Sequence, residues 1–228
     1  MNALKKWAKR CVWLTLAIVM TIGCNPLQTA AFIFHKDDKV KPLYPLRPTE
    51  GPKKDKSEEI TVLILCDQRQ GGPIEFAGAD RELLANMARM LPEMAKANKE
   101  KITVVPAAEL AKFQAGHPNW RSLPGAQIGK ALGADCVLQV YLASASMYQP
   151  GTNRQLYDGR AELEVNVYDL SGKNPERHYP HQFNYHPNKS PDVDSTSPSL
   201  YKQGFLERLA VEVLWKHVEH PMSDGIAE

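Results

Sequence analysis

Ile60-Thr61-Val62-Leu63-Ile64-Leu65-Cys66 is a short apolar run rich in β-branched residues. Such a run predicts a strand covered on both faces. Gly71, Gly72 and Pro73 break the chain between Asp67 and Gly78, so a loop follows. From Ala79 to Ala97 the period changes. Leu83, Met87, Met90, Leu91 and Met94 recur at helical spacing, a stripe that faces a core. Pro92 lies inside this helix and is expected to kink or divide it. Ile102 to Val105 predicts a second strand, closed by Pro106. Two short helices follow, Ala107 to Phe113 and Gly125 to Leu132, with Gly133 just past the second, where a left-handed residue is wanted.

The second half alternates differently. Cys136 to Ala145 predicts a third strand and Arg160 to Asp169 a fourth. In the fourth, Ala161, Leu163, Val165 and Val167 point one way, and Arg160, Glu162, Glu164 and Asn166 the other. That alternation belongs to an antiparallel strand with one buried face. Turn residues Ser171 to Pro175 lead to a fifth strand, Tyr179 to His186, and a last helix runs from Ser199 to Val218 with Leu206, Leu209, Ala210, Val213 and Leu214 inward. The fold class is α/β (α+β). A mixed sheet of about five strands is expected in the order β-α-β-α-α-β-β-β-α, with helices packed mainly on one face. A strand, a helix and a strand in succession make a parallel crossover the default for the first part.

The amino terminus has a pattern of its own. Lys5, Lys6, Lys9 and Arg10 precede an uncharged run from Cys11 to Ile22, the layout of a secretory signal. At 12 residues the run is shorter than the roughly 20 that a membrane-crossing helix needs. It ends in Thr21-Ile22-Gly23-Cys24, which resembles the lipobox of bacterial lipoproteins. The resemblance implies cleavage after Gly23 and a diacylglyceryl group on the sulfur of Cys24, with two or three acyl chains (palmitate-like) for stable anchoring. An ordinary secretory signal with an unrelated cysteine, or an uncleaved anchor, is the other reading. The chain is thus divided into a signal peptide (1–23), a lipid-anchored proline-rich tether (24–59), one α/β domain (60–220) and a flexible tail (221–228). Prolines 26, 42, 45, 48 and 52 favour extended backbone in the tether. Its apolar island Phe32-Ile33-Phe34 either dips into the membrane interface or straps against the domain.

The 228 residues carry a net charge of +2, with 24% charged and 43% hydrophobic residues. Those proportions exclude collagen-like, wholly disordered and multi-span membrane chains. Loss of residues 1–23 removes four basic residues and no acid, so 24 bases face 26 acids and the charge becomes −2. A mildly acidic mature form argues against a nucleic-acid partner. Two cysteines besides Cys24 remain in it, Cys66 and Cys136. They end the first strand and begin the third. On parallel neighbours these positions lie at opposite ends of the sheet, too far apart for a disulfide, and two buried thiols are expected.

Few residues invite chemistry. Asp67, with Gln68 and Arg69, follows the first strand, where α/β proteins often place ligands. Trp120 and Tyr148 fall in predicted loops and are candidate partner anchors; the plainer reading is that they cover the edge of the core. His178, His181 and His186 cluster on the fifth strand, but His181 points away from the other two, and His217 and His220 flank a helix end. No metal and no cofactor is expected from these spacings. Gly125, Gly129 and Gly133 recur every fourth residue, which is not the spacing of a phosphate loop. No Gly-x-Ser-x-Gly elbow is present.

The segment Ala126-Gln127-Ile128-Gly129-Lys130-Ala131-Leu132-Gly133-Ala134-Asp135-Cys136-Val137-Leu138 resembles the helix-to-strand joint of a group of bacterial envelope proteins. The group comprises the TolB amino-terminal domain, the curli-secretion lipoproteins and the lipoprotein activators of penicillin-binding proteins. The likeness extends over Ile60 to Ala145; the strands after it match no single member. It implies a non-catalytic envelope lipoprotein that binds or scaffolds another envelope component, facing the periplasm from a membrane through Cys24. Asn25 lacks the acid of an inner-membrane retention signal and favours the outer membrane. The rival readings are a tethered module for a small molecule or nucleotide, with a polar pocket near Asp67 to Gly72, and an enzyme using Asp67 or the histidines.

Overall fold

The computed structural model describes residues 39–47, 55–171, 176–185 and 192–222. The signal segment, Gly23, Cys24, the Phe32–Phe34 island, His186 and most of the 171–175 turn lie outside them. Five strands form one sheet: β1 (Glu59–Gln68), β2 (Lys101–Val104), β3 (Cys136–Tyr148), β4 (Tyr157–Asp169) and β5 (Arg177–Tyr185). Their order across the sheet is β2-β1-β3-β4-β5. β1 pairs in parallel with β2 and with β3, and the β3–β4 and β4–β5 pairs are antiparallel. Four helices accompany them: α1 (Ala79–Ala97), α2 (Ala107–Gly116), α3 (Gly125–Ala131) and α4 (Pro198–Trp215).

The middle of β1, Val62 to Leu65, is apolar because both of its faces are covered. Val62 and Ile64 enter the larger core beneath the two long helices, α1 and α4, which share one face of the sheet. Leu63 and Leu65 enter a smaller core on the other face with Leu110 of α2, Ile128 of α3 and Val137. β4 alternates as its sequence requires, with Ala161, Leu163, Val165 and Val167 buried. α1 buries Ala79, Leu83, Met87, Leu91 and Ala95 on one stripe. It is not divided at Pro92 but runs unbroken for 19 residues. Burial of Leu83, Met87 and Leu91 at about 2 kcal/mol each outweighs the roughly 3 kcal/mol cost of an interior proline.

The joint between α3 and β3 is tightly built. Gly133 takes the left-handed conformation at φ +67°. The next residue but one, Asp135, grips β1 twice: its N–H donates to the Thr61 carbonyl at 2.8 Å, and its Oδ2 accepts the Thr61 N–H at 2.9 Å. Its carbonyl accepts the N–H of Leu170 at 3.0 Å, just past β4. The Gly-Ala-Asp turn therefore ties together the two parallel strands and the end of the antiparallel one.

Further sequence expectations change. β3 and β4 are longer than the pattern implied, reaching Tyr148 and starting at Tyr157. The last pair, Tyr148 with Tyr157, lies beyond two register shifts, between Leu142 and Ser144 and between Ser146 and Tyr148, which spoil the period-two pattern. The last helix stops at Trp215, short of Val218. The tether assigned to 24–59 includes a piece that is docked. Leu46 is 1% exposed, and Tyr44 stacks on Tyr179 of β5 with ring centroids 4.2 Å apart. Arg47 donates to the carbonyls of Asp55 at 2.7 Å and Glu58 at 2.9 Å, and Arg177 donates to the Pro45 carbonyl at 2.8 Å. Val40 to His220 belong to one compact unit; a second is described only at Lys39, Pro221 and Met222. Among the described residues no helix is long and apolar enough to cross a membrane.

Candidate functional site

A cleft of about 1130 Å³ opens at the carboxyl end of β1. Its walls are the last residues of β1, the loop 69–78, the first turn of α1, the middle of β3 and Arg121. The place follows from the register. Gln68, the last residue of β1, pairs with Leu142, whereas β3 runs on to Tyr148. The loop 69–78 leaves β1 there for α1, and the cleft lies between that loop and the middle of β3.

Asp67 and Gln68 are the last residues of β1 rather than loop residues, and the Arg69 N–H extends the ladder by donating to the Leu142 carbonyl at 3.0 Å. All three line the cleft. Asp67 is already engaged: its Oδ1 accepts the Gln68 N–H at 2.9 Å, and Arg121 Nε lies 3.7 Å from its Oδ2. The Arg121 guanidinium also sits over the Trp120 ring, 4.7 Å from its centroid. Trp120 itself packs on the smaller core and supports the cleft through that arginine.

Tyr148 does not line this cleft. It ends β3 and borders a neighbouring hollow of about 400 Å³, stacked on Tyr157 at 5.4 Å with Arg154 5.6 Å from its ring centroid. The loop 69–78 is the ridge between the two concavities. It is pinned by Phe76, 3% exposed and 5.4 Å from the Phe205 ring. An ion pair of 3.0 Å from Glu75 to Arg154 holds it further, as does Lys202, which donates to the Ala77 carbonyl at 3.4 Å. Glycines at φ +77° (Gly71) and +76° (Gly78) make its bends. At the crest Ile74 is 85% exposed. Ile74, Arg81 and Arg121 are cleft residues that sequence reasoning missed. Arg121 had one usable signal, its place beside Trp120.

Among the described residues the histidines are dispersed, and several are engaged. His178 Nδ1 lies 2.7 Å from Asn166 Oδ1 on the exposed side of the sheet. His217 is buried between the Tyr44 carbonyl and the Tyr179 hydroxyl, at 2.7 and 2.9 Å. Burial lowers its pKa to about 4. His181 is lowered to about 4 by burial and by Lys216. Among the described residues no three His, Cys, Asp or Glu side chains come together as a metal site. Cys66 and Cys136 are free thiols. Cys66 pairs across from Val140 and Cys136 from Val62, four positions apart, or about 13 Å at strand spacing. Burial raises both thiols, Cys136 to about 12.

No family model matches the chain, and no curated protein matches it. Solved structures of bacterial proteins share part of the arrangement. The lipoprotein GNA1162 from Neisseria meningitidis is 13% identical, with a TM-score of 0.43 over 69% of this chain and 96% of its own. The PelC dodecamer subunit from Paraburkholderia phytofirmans is 11% identical, with a TM-score of 0.39 over 75% of this chain and 96% of its own. The LpoB C-terminal domain from Salmonella enterica is 20% identical, with a TM-score of 0.34 over 54% of this chain and 82% of its own. At these identities and scores none of the likenesses bears on function.

Proposed function

We propose that the chain is a bacterial envelope lipoprotein, anchored through Cys24 and facing the periplasm, whose domain binds another envelope component without catalysing a reaction. The observation that carries the binding role is the pinned loop 69–78. A loop fixed at Phe76, Glu75 and Ala77 presents Ile74 at 85% exposure beside an open cleft. An ordered loop that keeps a large apolar side chain in water has paid its ordering cost before a partner arrives, which favours association. The burial of His217 between Tyr44 and Tyr179, with both ring nitrogens engaged, supports the non-catalytic reading over an enzyme built on that histidine.

A tethered small-molecule or nucleotide module has one observation in its favour, the cleft beside Asp67 to Gly72. At about 1130 Å³ it is wider than most small-ligand pockets, which run to about 1,000 Å³. Anchoring is tested by fractionating cells that express Cys24→Ala. The variant is expected in the soluble fraction with its signal unprocessed at Gly23–Cys24 or cut elsewhere. Full retention in membranes after a carbonate wash would remove the lipid-anchor part of the proposal.

A further inference from the structure

Resting on the binding role proposed above, we infer that the cleft at the end of β1 receives an acidic peptide segment of a partner protein. Three arginines from three separate elements line it. Arg69 comes from the residue after β1, Arg81 from the first turn of α1, and Arg121 from the turn Trp120–Ser122. Asp67 and Asp80 are the acids on the same walls, so the lining is positive by one charge. The mature chain is negative by two. The cleft is thus a basic place on an acidic molecule, and its field favours anionic groups over the rest of the surface.

Those arginines have charge to spare. Among the described residues Arg69 and Arg81 enter no ion pair. Arg121 faces Asp67 at 3.7 Å with 62% of its side chain exposed. An exposed pair of that kind is weak, so Arg121 can exchange Asp67 for an incoming carboxylate. Guanidinium groups hold carboxylates through two parallel hydrogen bonds. α1 also begins at the cleft with Gly78 as its cap, and no side chain bonds its first N–H groups; a negative group is favoured beside such a terminus.

Size and the apolar crest select a peptide over a small anion. A phosphate or citrate would fill a fraction of about 1130 Å³ and leave Ile74 in water. A segment with several carboxylates and an apolar side chain would meet the arginines and cover Ile74 together.

The test places the photocrosslinker p-benzoylphenylalanine at Ile74, and in parallel at Leu43 and Leu156, in the full chain in intact cells. The crosslinked residues of the partner are then sequenced. Expected is an adduct from Ile74 on a segment with three or more Asp or Glu, falling on the order of tenfold in R69E/R81E/R121E. The fall should occur without loss of the folded far-ultraviolet dichroism, since all three side chains are exposed. A partner segment without acids, or an adduct untouched by charge reversal, overturns the acidic-peptide inference and leaves the binding role standing. No adduct at any of the three positions overturns both. Titration of the purified full chain with inorganic pyrophosphate supplies another arm. Saturable binding lost in the triple variant, together with no adduct at Ile74, replaces the peptide with a small anion.

Discussion

His217 shows how one residue couples two parts of the chain. Its Nδ1 faces the Tyr44 carbonyl, which can only accept, so Nδ1 carries the proton; Nε2 then accepts from the Tyr179 hydroxyl. The neutral ring thus satisfies both partners. Burial lowers its pKa from 6.5 to about 4, partly opposed by the Tyr44 carbonyl. Between those values the unfolded chain binds a proton that the folded one refuses, so stability is full above about pH 6.5 and falls as pH drops towards 4. The loss from His217 is on the order of 3 kcal/mol. His181 adds to it in the same window and direction. The melting temperature should therefore fall steeply between pH 6.5 and 4, and the slope should be shallower in His217→Gln. An unchanged slope would show that His217 is not the titrating group. In sequence, His217 is one histidine near a helix end. Its role depends on Tyr44, 173 residues away, and could not be read from local pattern.

At the level of elements, α3 lies against the sheet because two of its positions lack a side chain. A Cβ on Gly129 would overlap Val137 Cγ2 and stand 2.7 Å from Leu170 Cδ1, both in the smaller core. A Cβ on Gly125 would meet the end of Gln139 at 2.8 Å and the Tyr168 ring at 3.0 Å. Core branches have nowhere to go, whereas the amide end of Gln139 can swing away. Gly129→Ala should cost about 2 kcal/mol and Gly125→Ala clearly less, read from urea midpoints of the two variants. Equal costs would mean that the sheet moves away from α3 as a body. This joint was legible because its chemistry is local: two small residues, a left-handed turn and an aspartate within eleven positions. The far ends of β3 and β4 were not, because their bulges break the alternation that sequence reading depends on.

On the scale of the whole molecule, the docked segment moves the start of the domain. Leu46 is buried in the larger core and Tyr44 N–H donates to the Lys216 carbonyl at 2.8 Å, so the strap is part of the fold. Leu46→Ala should destabilise the domain by about 3 kcal/mol, as measured by denaturant unfolding; a change below about 0.5 kcal/mol, the range of neutral surface substitutions, would return the segment to the tether. With anchoring at Cys24, sixteen residues separate the lipid from Val40, so the reach is at most about 50 Å at roughly 3 Å per residue. A tether running to residue 59 would reach about twice that. If the proposed anchor is real, the shorter leash would confine the cleft, and a partner held there, closer to the membrane.

Periodicity and residue type were enough to determine the type of the main elements and their order, the parallel start and antiparallel finish of the sheet, and the separation of Cys66 from Cys136. These follow from the local period of each element, from which of its faces is apolar, and from the rule that a strand, a helix and a strand in succession make a parallel crossover. Tertiary structure decided the rest. It placed Arg69, Arg81 and Arg121 around one cleft, lifted Ile74 on a pinned loop, and closed residues 40–47 over β5 and the end of α4. Each of these joins residues far apart along the chain or depends on how a polar side chain is held. A hydrophobic pattern carries no information about either until the sheet and helices have packed.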